Sequence, residues 1–194
     1  MDFVATLPAP LTEPSRRFFA EWHRWRGAGL VPQRSALDTG RLGELLTRCL
    51  LLEVRGPDLM PIHFAGSTIG AMLGTELAGR NYLDLTPADN RKQRAALLLA
   101  EVAQPCAAVI YYWLETETGI LPVELVSAPL CESGKDTPTL VLACATPLVQ
   151  RADENDDHVA PRSYAEGEGL HFIDIGAGLP ALPTDVCTSR EIGS

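Results

Sequence analysis

The sequence predicts an α+β fold: a five-stranded antiparallel sheet with short helices over one face and an N-terminal helical extension. Three observations predict it. β-rich segments fall in two groups, residues 48–66 and 106–150, each paired through turn-forming residues. Between the groups lie short helical stretches and one longer helix. Nothing repeats at a fixed period, which removes solenoid architectures.

The first helix is well marked. Thr12 is a capping residue, Pro14 suits the first turn, and "EPSRRFFAEWHRWRGAG" runs to a glycine stop. Phe18, Trp22 and Trp25 recur at i, i+4 and i+7 and form one aromatic stripe. A shorter helix follows from Asp38 as N-cap, over about Gly40 to Leu46. "RCLLLEVRG" and "MPIHFAG", split by "GPD", read as an antiparallel hairpin. Thr86 with Pro87 behind it marks the start of the longer helix, whose Ala95, Leu98, Leu99 and Val102 share a face. That helix stops at Gln104-Pro105. "CAAVIYYWLETE", turning at Thr118-Gly119, then "ILPVELVSAPL" and "TPTLVLACATPLV", supply three more strands.

"HFAGSTIGAMLG" spaces Gly66, Gly70 and Gly74 four residues apart after an apolar run. A Walker loop needs a lysine and hydroxyl after its last glycine, and the dinucleotide fingerprint needs two glycines two apart. Neither condition is met. The glycines read as fold-making: Gly66 ends a strand, Ser67 caps a short helix, and Gly74 terminates it.

Composition narrows the function classes. The chain has 194 residues, 46% of them hydrophobic, enough for one good core with extensions. Its net charge of -9 argues against a nucleic-acid partner, since phosphate binding draws on a basic face. Nine acids and three bases fall in residues 151–194, so the tail carries most of the imbalance. With no signal segment and no apolar run of about 18–20 residues, the reading is a cytoplasmic protein away from membranes. Five cysteines (49, 106, 131, 144 and 187) without a C-x-x-C pair read as reduced, mostly buried residues. The chain divides into residues 1–47, a helical extension; 48–150, the sheet domain; and 151–194, an acidic linker and tail. "DENDDH" fails as a calcium loop, with His158 in the glycine position and Tyr164 in place of the bidentate glutamate, and reads as a solvated linker open to protease. "LHFIDIGAGLP" beyond it is too apolar for a free tail and is expected to dock.

The element order β-β-α-α-α-β-β-β, with "WRGAG", "VPQRSALD", "FAGSTIGAMLGTELAGRNYLDL", "PVELVSAPL" and "FIDIGAGLP", resembles a bacterial family of stand-alone PAS-like proteins. The resemblance covers about residues 14–150, with residues 172–180 as a second anchor. It implies a non-catalytic sensory or regulatory module with a pocket between sheet and short helices, and an N-terminal helix of a kind such domains use for pairing. No output domain is expected in the residues after the last strand, so a signal is expected to pass to a partner or through a change of oligomer, with a homodimer favoured.

Candidate site residues follow from that pocket. Arg91, with Arg94 near it, shares the helix stripe and could meet an anionic ligand at the helix start; pairing with Asp84 or Asp89 is the alternative. Tyr111 and Trp113 share one strand face and Tyr112 and Leu114 the other; either set could line the pocket. Tyr111 and Trp113 are taken as the candidates. His63, on a strand, is a further one. Residues 67–85 lack the cysteine of flavin photosensors, and 87–104 lack a haem histidine, so no coloured cofactor and no metal is expected. No catalytic motif appears, and no catalytic residue is assigned. The stripe Phe18, Trp22 and Trp25 either contacts a second copy or covers the open sheet face within one chain; it is taken as the interface candidate. The rival function is a ligand-free interaction scaffold, and a small enzyme using the pocket is the third reading.

Overall fold

The computed structural model describes residues 11–116, 119–148 and 169–181, with backbone alone at 115, 116, 119 and 120. The Thr118 turn, the "DENDDH" run and Cys187 lie outside these residues.

Helix α1 (Glu13–Arg26) is set by local chemistry at both ends. The Thr12 side chain accepts from the Ser15 N–H at the N-cap, and Gly27 closes the helix at φ 55°. Asp38 caps α2 (Thr39–Leu42) by accepting from Gly40 N–H at 3.1 Å, and a 3-10 turn over Gly43–Arg48 leads into the sheet. Strands β1 (Cys49–Glu53) and β2 (Ile62–Ala65) form the expected hairpin. Helix α3 (Ser67–Leu73) follows, ending at Gly74 in the left-handed region. Two 3-10 turns, Tyr82–Leu85 and Ala88–Asn90, precede α4 (Arg91–Ala103). Strands β3 (Cys106–Thr116), β4 (Gly119–Cys131), β5 (Pro138–Pro147) and β6 (Leu170–Asp174) complete the chain. The sheet runs β2-β1-β5-β4-β3-β6, with every neighbouring pair antiparallel.

The sheet has six strands where the sequence suggested five. The sixth is the apolar segment of the tail, which pairs in register with β3 from Cys106↔Asp174 to Ile110↔Leu170. Asp174 then accepts from the Gly176 and Gly178 N–H groups at 2.7 and 2.9 Å, which holds its carboxyl below the usual range. Arg26 donates to Ile175 O at 2.8 Å and Gln104 to Ala177 O at 3.0 Å, so the docked segment also touches the ends of α1 and α4.

The short helices cover one face of the sheet, as expected, and α1 covers the other. Strand alternation divides the core in two. Cys49 and Leu51, Val126 and Ala128, Leu140 and Leu142 face α1, with Phe18, Phe19 and Trp22 packed among them. Leu50 and Leu52, Val123, Val141 and Ala143 face the other way, toward α3, the 3-10 turns and α4. Phe18 and Trp22 are 0% exposed and Trp25 is 9% exposed. The aromatic stripe is therefore core within a single chain, and the assignment of Phe18, Trp22 and Trp25 to an interface is corrected. Burying a side chain of this size is worth roughly 1.5–3 kcal/mol, and the sheet face offers that burial without a second molecule.

Two starts differ from expectation. α4 begins at Arg91, four residues late, because Pro87 keeps an extended backbone (ψ 140°) and Thr86 donates back to Tyr82 O at 3.5 Å. Gly66, not Ser67, occupies the N-cap of α3. The glycine at position 66 has a steric reason: a Cβ there would lie 2.3 Å from Leu46 O and from Thr47 C and O. The chain crosses too close to the preceding turn for any side chain. No helix among the described residues is long and apolar enough to cross a membrane.

Candidate functional site

Between the sheet and the second helical layer lies a cavity of about 70 Å³. Its floor is Leu50 and Leu52 of β1, Ala108, Ile110 and Tyr112 of β3, Leu125 of β4, and Val141, Ala143 and Ala145 of β5. Ile69 and Leu73 of α3, Tyr82, and Leu97 and Leu98 of α4 form the opposite wall, and Leu170 and Phe172 of β6 close one side. Three of the floor residues, Ala108 of β3 and Ala143 and Ala145 of β5, are small, which leaves space between the sheet and α4.

Three polar features enter the apolar shell. Arg94 of α4 lines it, its guanidinium carbon 5.6 Å from the Tyr112 ring centroid, within cation–π reach. Ser127 lines it from β4. Glu101 lines it from α4 and is only 2% exposed. Ser127 Oγ donates to Glu101 Oε2 at 3.0 Å, while Oε1 has no hydrogen-bond partner among the described residues. Burial pushes the Glu101 carboxyl up to about 8, against the opposing hydrogen bond from Ser127, so it is mostly protonated at neutral pH. Burial likewise pushes Tyr112 up to about 12.

The Glu101 shift carries a stability consequence. The unfolded chain releases this proton near the ordinary glutamate value, whereas the folded chain holds it until about pH 8. Its contribution is thus fullest below the ordinary value, declines as pH rises, and levels off above about 8. Thermal melts of wild type and Glu101→Gln between pH 5 and 9 should show the variant gaining on wild type up to about pH 8. A constant difference across that range would mean that Glu101 ionises normally.

The sequence-derived candidates fall elsewhere. Arg91 is exposed, and its Nε donates to Thr86 O at 3.0 Å; Arg94, one turn on, takes the position at the cavity. Tyr111 faces α1, where its hydroxyl donates to Glu124 Oε2 at 3.1 Å. Trp113 shares that parity and is 42% exposed beyond the helix. Of the two strand faces, that of Tyr112 lines the cavity. His63 sits on the surface, its Nε2 2.8 Å from Glu53 Oε2, which Arg55 also contacts at 2.8 Å. Arg55 chiefly, with His63 adding, holds Glu53 below the usual carboxylate range against partial desolvation. Arg91, Tyr111, Trp113 and His63 are therefore not brought together. Sequence reasoning missed Glu101, although it sits four residues after Leu97 and three after Leu98, on the buried side of its helix. It also missed Ser127 and the wall supplied by β6.

The cysteines follow expectation in part: Cys49, Cys106, Cys131 and Cys144 are free and buried. Cys49 and Cys144 are register partners on the α1 face, away from the cavity. Among the described residues no group of three or more His, Cys, Asp or Glu could hold a metal ion.

Short helices over an antiparallel sheet, enclosing an apolar cavity, are the α+β architecture of a PAS-like domain. The chain belongs to the PAS domain family, whose model matches residues 11–145 and so takes in α1 as well as the sheet. No curated protein matches the chain. Similar solved structures include the Rhodobacter sphaeroides LOV protein, at 16% identity over 60% of this chain and 71% of that one, TM-score 0.43. The RsLOV d2 variant gives 18% identity over 54% and 61%, TM-score 0.43. A light-oxygen-voltage domain studied with a flavin analogue gives 16% over 57% and 84%, TM-score 0.44. Similarity at this level bears on neither ligand nor mechanism.

Proposed function

We propose that this PAS domain is a non-catalytic cytoplasmic sensor that binds a small molecule in the sheet–helix cavity and signals through a protein partner or a change of oligomer. The observation that supports it is the cavity itself. Residues of β1, β3, β4, β5, β6, α3 and α4, with Tyr82, contribute to its walls, so occupancy bears on the packing of α3, α4 and β6 together.

A flavin does not suit this cavity. Its volume of about 70 Å³ is far below the roughly 300–1,000 Å³ of sites that enclose drug-sized ligands. The residues lining it include neither a cysteine for a flavin adduct nor a histidine for haem iron. The same small volume favours a second reading, a ligand-free interaction scaffold whose core is nearly closed.

Thermal shift against a set of small apolar compounds, with native mass spectrometry, separates the two readings. Wild type should gain stability with some compounds, and Ala143→Leu, which fills the cavity from β5, should lose that gain while staying folded. A wild type that responds to none of them leaves the scaffold reading in place.

A further inference from the structure

The cavity contains one feature that packing does not account for. Glu101 is buried in an apolar shell, yet only one of its two carboxyl oxygens is satisfied. A buried polar atom left without a partner destabilises a fold, and apolar residues of similar shape would fill this position at lower cost. Ser127 donates to Oε2, so the hydrogen-bonding capacity left over is at Oε1, in a residue that lines the cavity.

We infer that Glu101 is the ligand-recognition residue of this domain, with Oε1 donating a hydrogen bond to the oxygen of a small, uncharged, mainly apolar molecule such as a ketone. This rests on the cavity reading proposed above and names the ligand class that the cavity accepts. The lining chemistry favours an uncharged ligand. A cation would meet Arg94, and an anion, although Arg94 could pair with it, would lie mainly among leucines, alanines and Val141. A molecule of a few heavy atoms matches the space of about 70 Å³. The proton needed for donation is present at neutral pH because burial raises the Glu101 value to about 8. Other groups face this region. Tyr112 and Cys106 on β3 are both pushed upward by burial, Tyr82 lies on the turn before α4, Arg94 is on α4, and Asp174 on β6 pairs in register with Cys106.

The test compares cyclopentanone with methylenecyclopentane, which has the same shape but no oxygen acceptor, by NMR titration of the full chain. Glu101→Leu should weaken cyclopentanone binding about tenfold, one hydrogen bond's worth, and change methylenecyclopentane binding by less than about threefold. Raising the pH from 6 to 9 should weaken wild-type ketone binding, and Glu101→Gln, which keeps a donor and does not titrate, should bind the ketone equally at both. Any pH dependence that remained in the Gln variant would come from other groups, not from Glu101, and this variant decides the matter if the Leu variant does not fold. If wild type binds neither probe, the cavity reading and this inference fall together. If both probes bind and Glu101→Leu affects them equally, or Glu101→Gln shows the wild-type pH profile, the cavity reading stands and Glu101 is not the recognition residue. Butyrate bound more tightly than the ketone, and lost in Arg94→Met, would likewise overturn the uncharged ligand class.

Discussion

Trp22→Ala should destabilise the protein by roughly 3–5 kcal/mol, and Trp22→Glu should leave no native fold at 25 °C. Trp22 is 0% exposed, and its indole nitrogen donates to Pro129 O at 3.0 Å across the α1–β4 boundary. Phe18 and Phe19, in edge-to-face contact with centroids 5.4 Å apart, pack in the same cluster and hold the surrounding space open around any cavity left behind. Arg26 lies over the Trp22 ring at 5.8 Å, so truncation also removes a cation–π contact. A carboxylate at this position would be buried among Phe18, Phe19 and the apolar strand face, and its desolvation exceeds what one ion pair with Arg26 returns. Trp113→Ala is the control: that ring is 42% exposed, and its loss should change stability by less than about 0.5 kcal/mol. Chemical denaturation with fluorescence and circular dichroism measures all three. A Trp22→Glu variant that stays folded and only changes its molar mass would restore the stripe to an interface.

The second large effect is expected at Glu124. Its side chain, 1% exposed in the middle of β4, accepts from the Thr12 N–H at 3.1 Å, the Thr12 and Ser15 hydroxyls, and the Tyr111 hydroxyl at 3.1 Å. One carboxylate thus fastens the first turn of α1 to the sheet, where the unpaired N–H groups of the helix start favour negative charge. Glu124→Ala removes the shared acceptor and leaves Ser15, which is 0% exposed, without it. A loss of about 1–3 kcal/mol for each buried group stranded in this way puts the total near 3–5 kcal/mol. Glu124→Gln should cost less, about 1–3 kcal/mol, because one oxygen acceptor remains. The triple variant Thr12→Val, Ser15→Ala, Glu124→Leu should recover much of the loss, since it removes donors and acceptor together. If Glu124→Ala stays within about 1 kcal/mol of wild type, the network does not hold α1 in place.

Local signals were read reliably where the physics is local. Thr12 and Gly27 bound α1 because a capping hydroxyl and a positive φ act within one turn. The failed phosphate motifs excluded a nucleotide loop, and the contact of Gly66 with the Leu46–Thr47 backbone supplies the reason for its glycine. Thr86 misled because a capping residue before a proline has two uses, and here its hydroxyl turns back to Tyr82. The two faces of β3 could not be told apart because both are covered, so Tyr111 and Tyr112 each have an apolar destination. β5 already carries that information: in "TLVLACA" both parities are apolar, as befits a strand buried on both sides.

By itself, then, the sequence determined the N-caps of α1 and α2, the strand hairpins, the antiparallel α+β class and the family resemblance, all of which rest on residues close in the chain. Only the tertiary structure decided where the aromatic stripe goes, which strand face meets the cavity, and that residues 170–174 close it as a sixth strand. These are choices between surfaces of similar apolar character, and burial free energy depends on what covers a surface, not on its own composition. Glu101 belongs to the same group. A glutamate on a helix reads as solvated until the sheet packed against it removes the water, and desolvation then keeps it protonated and leaves Oε1 as an unpaired group at the cavity.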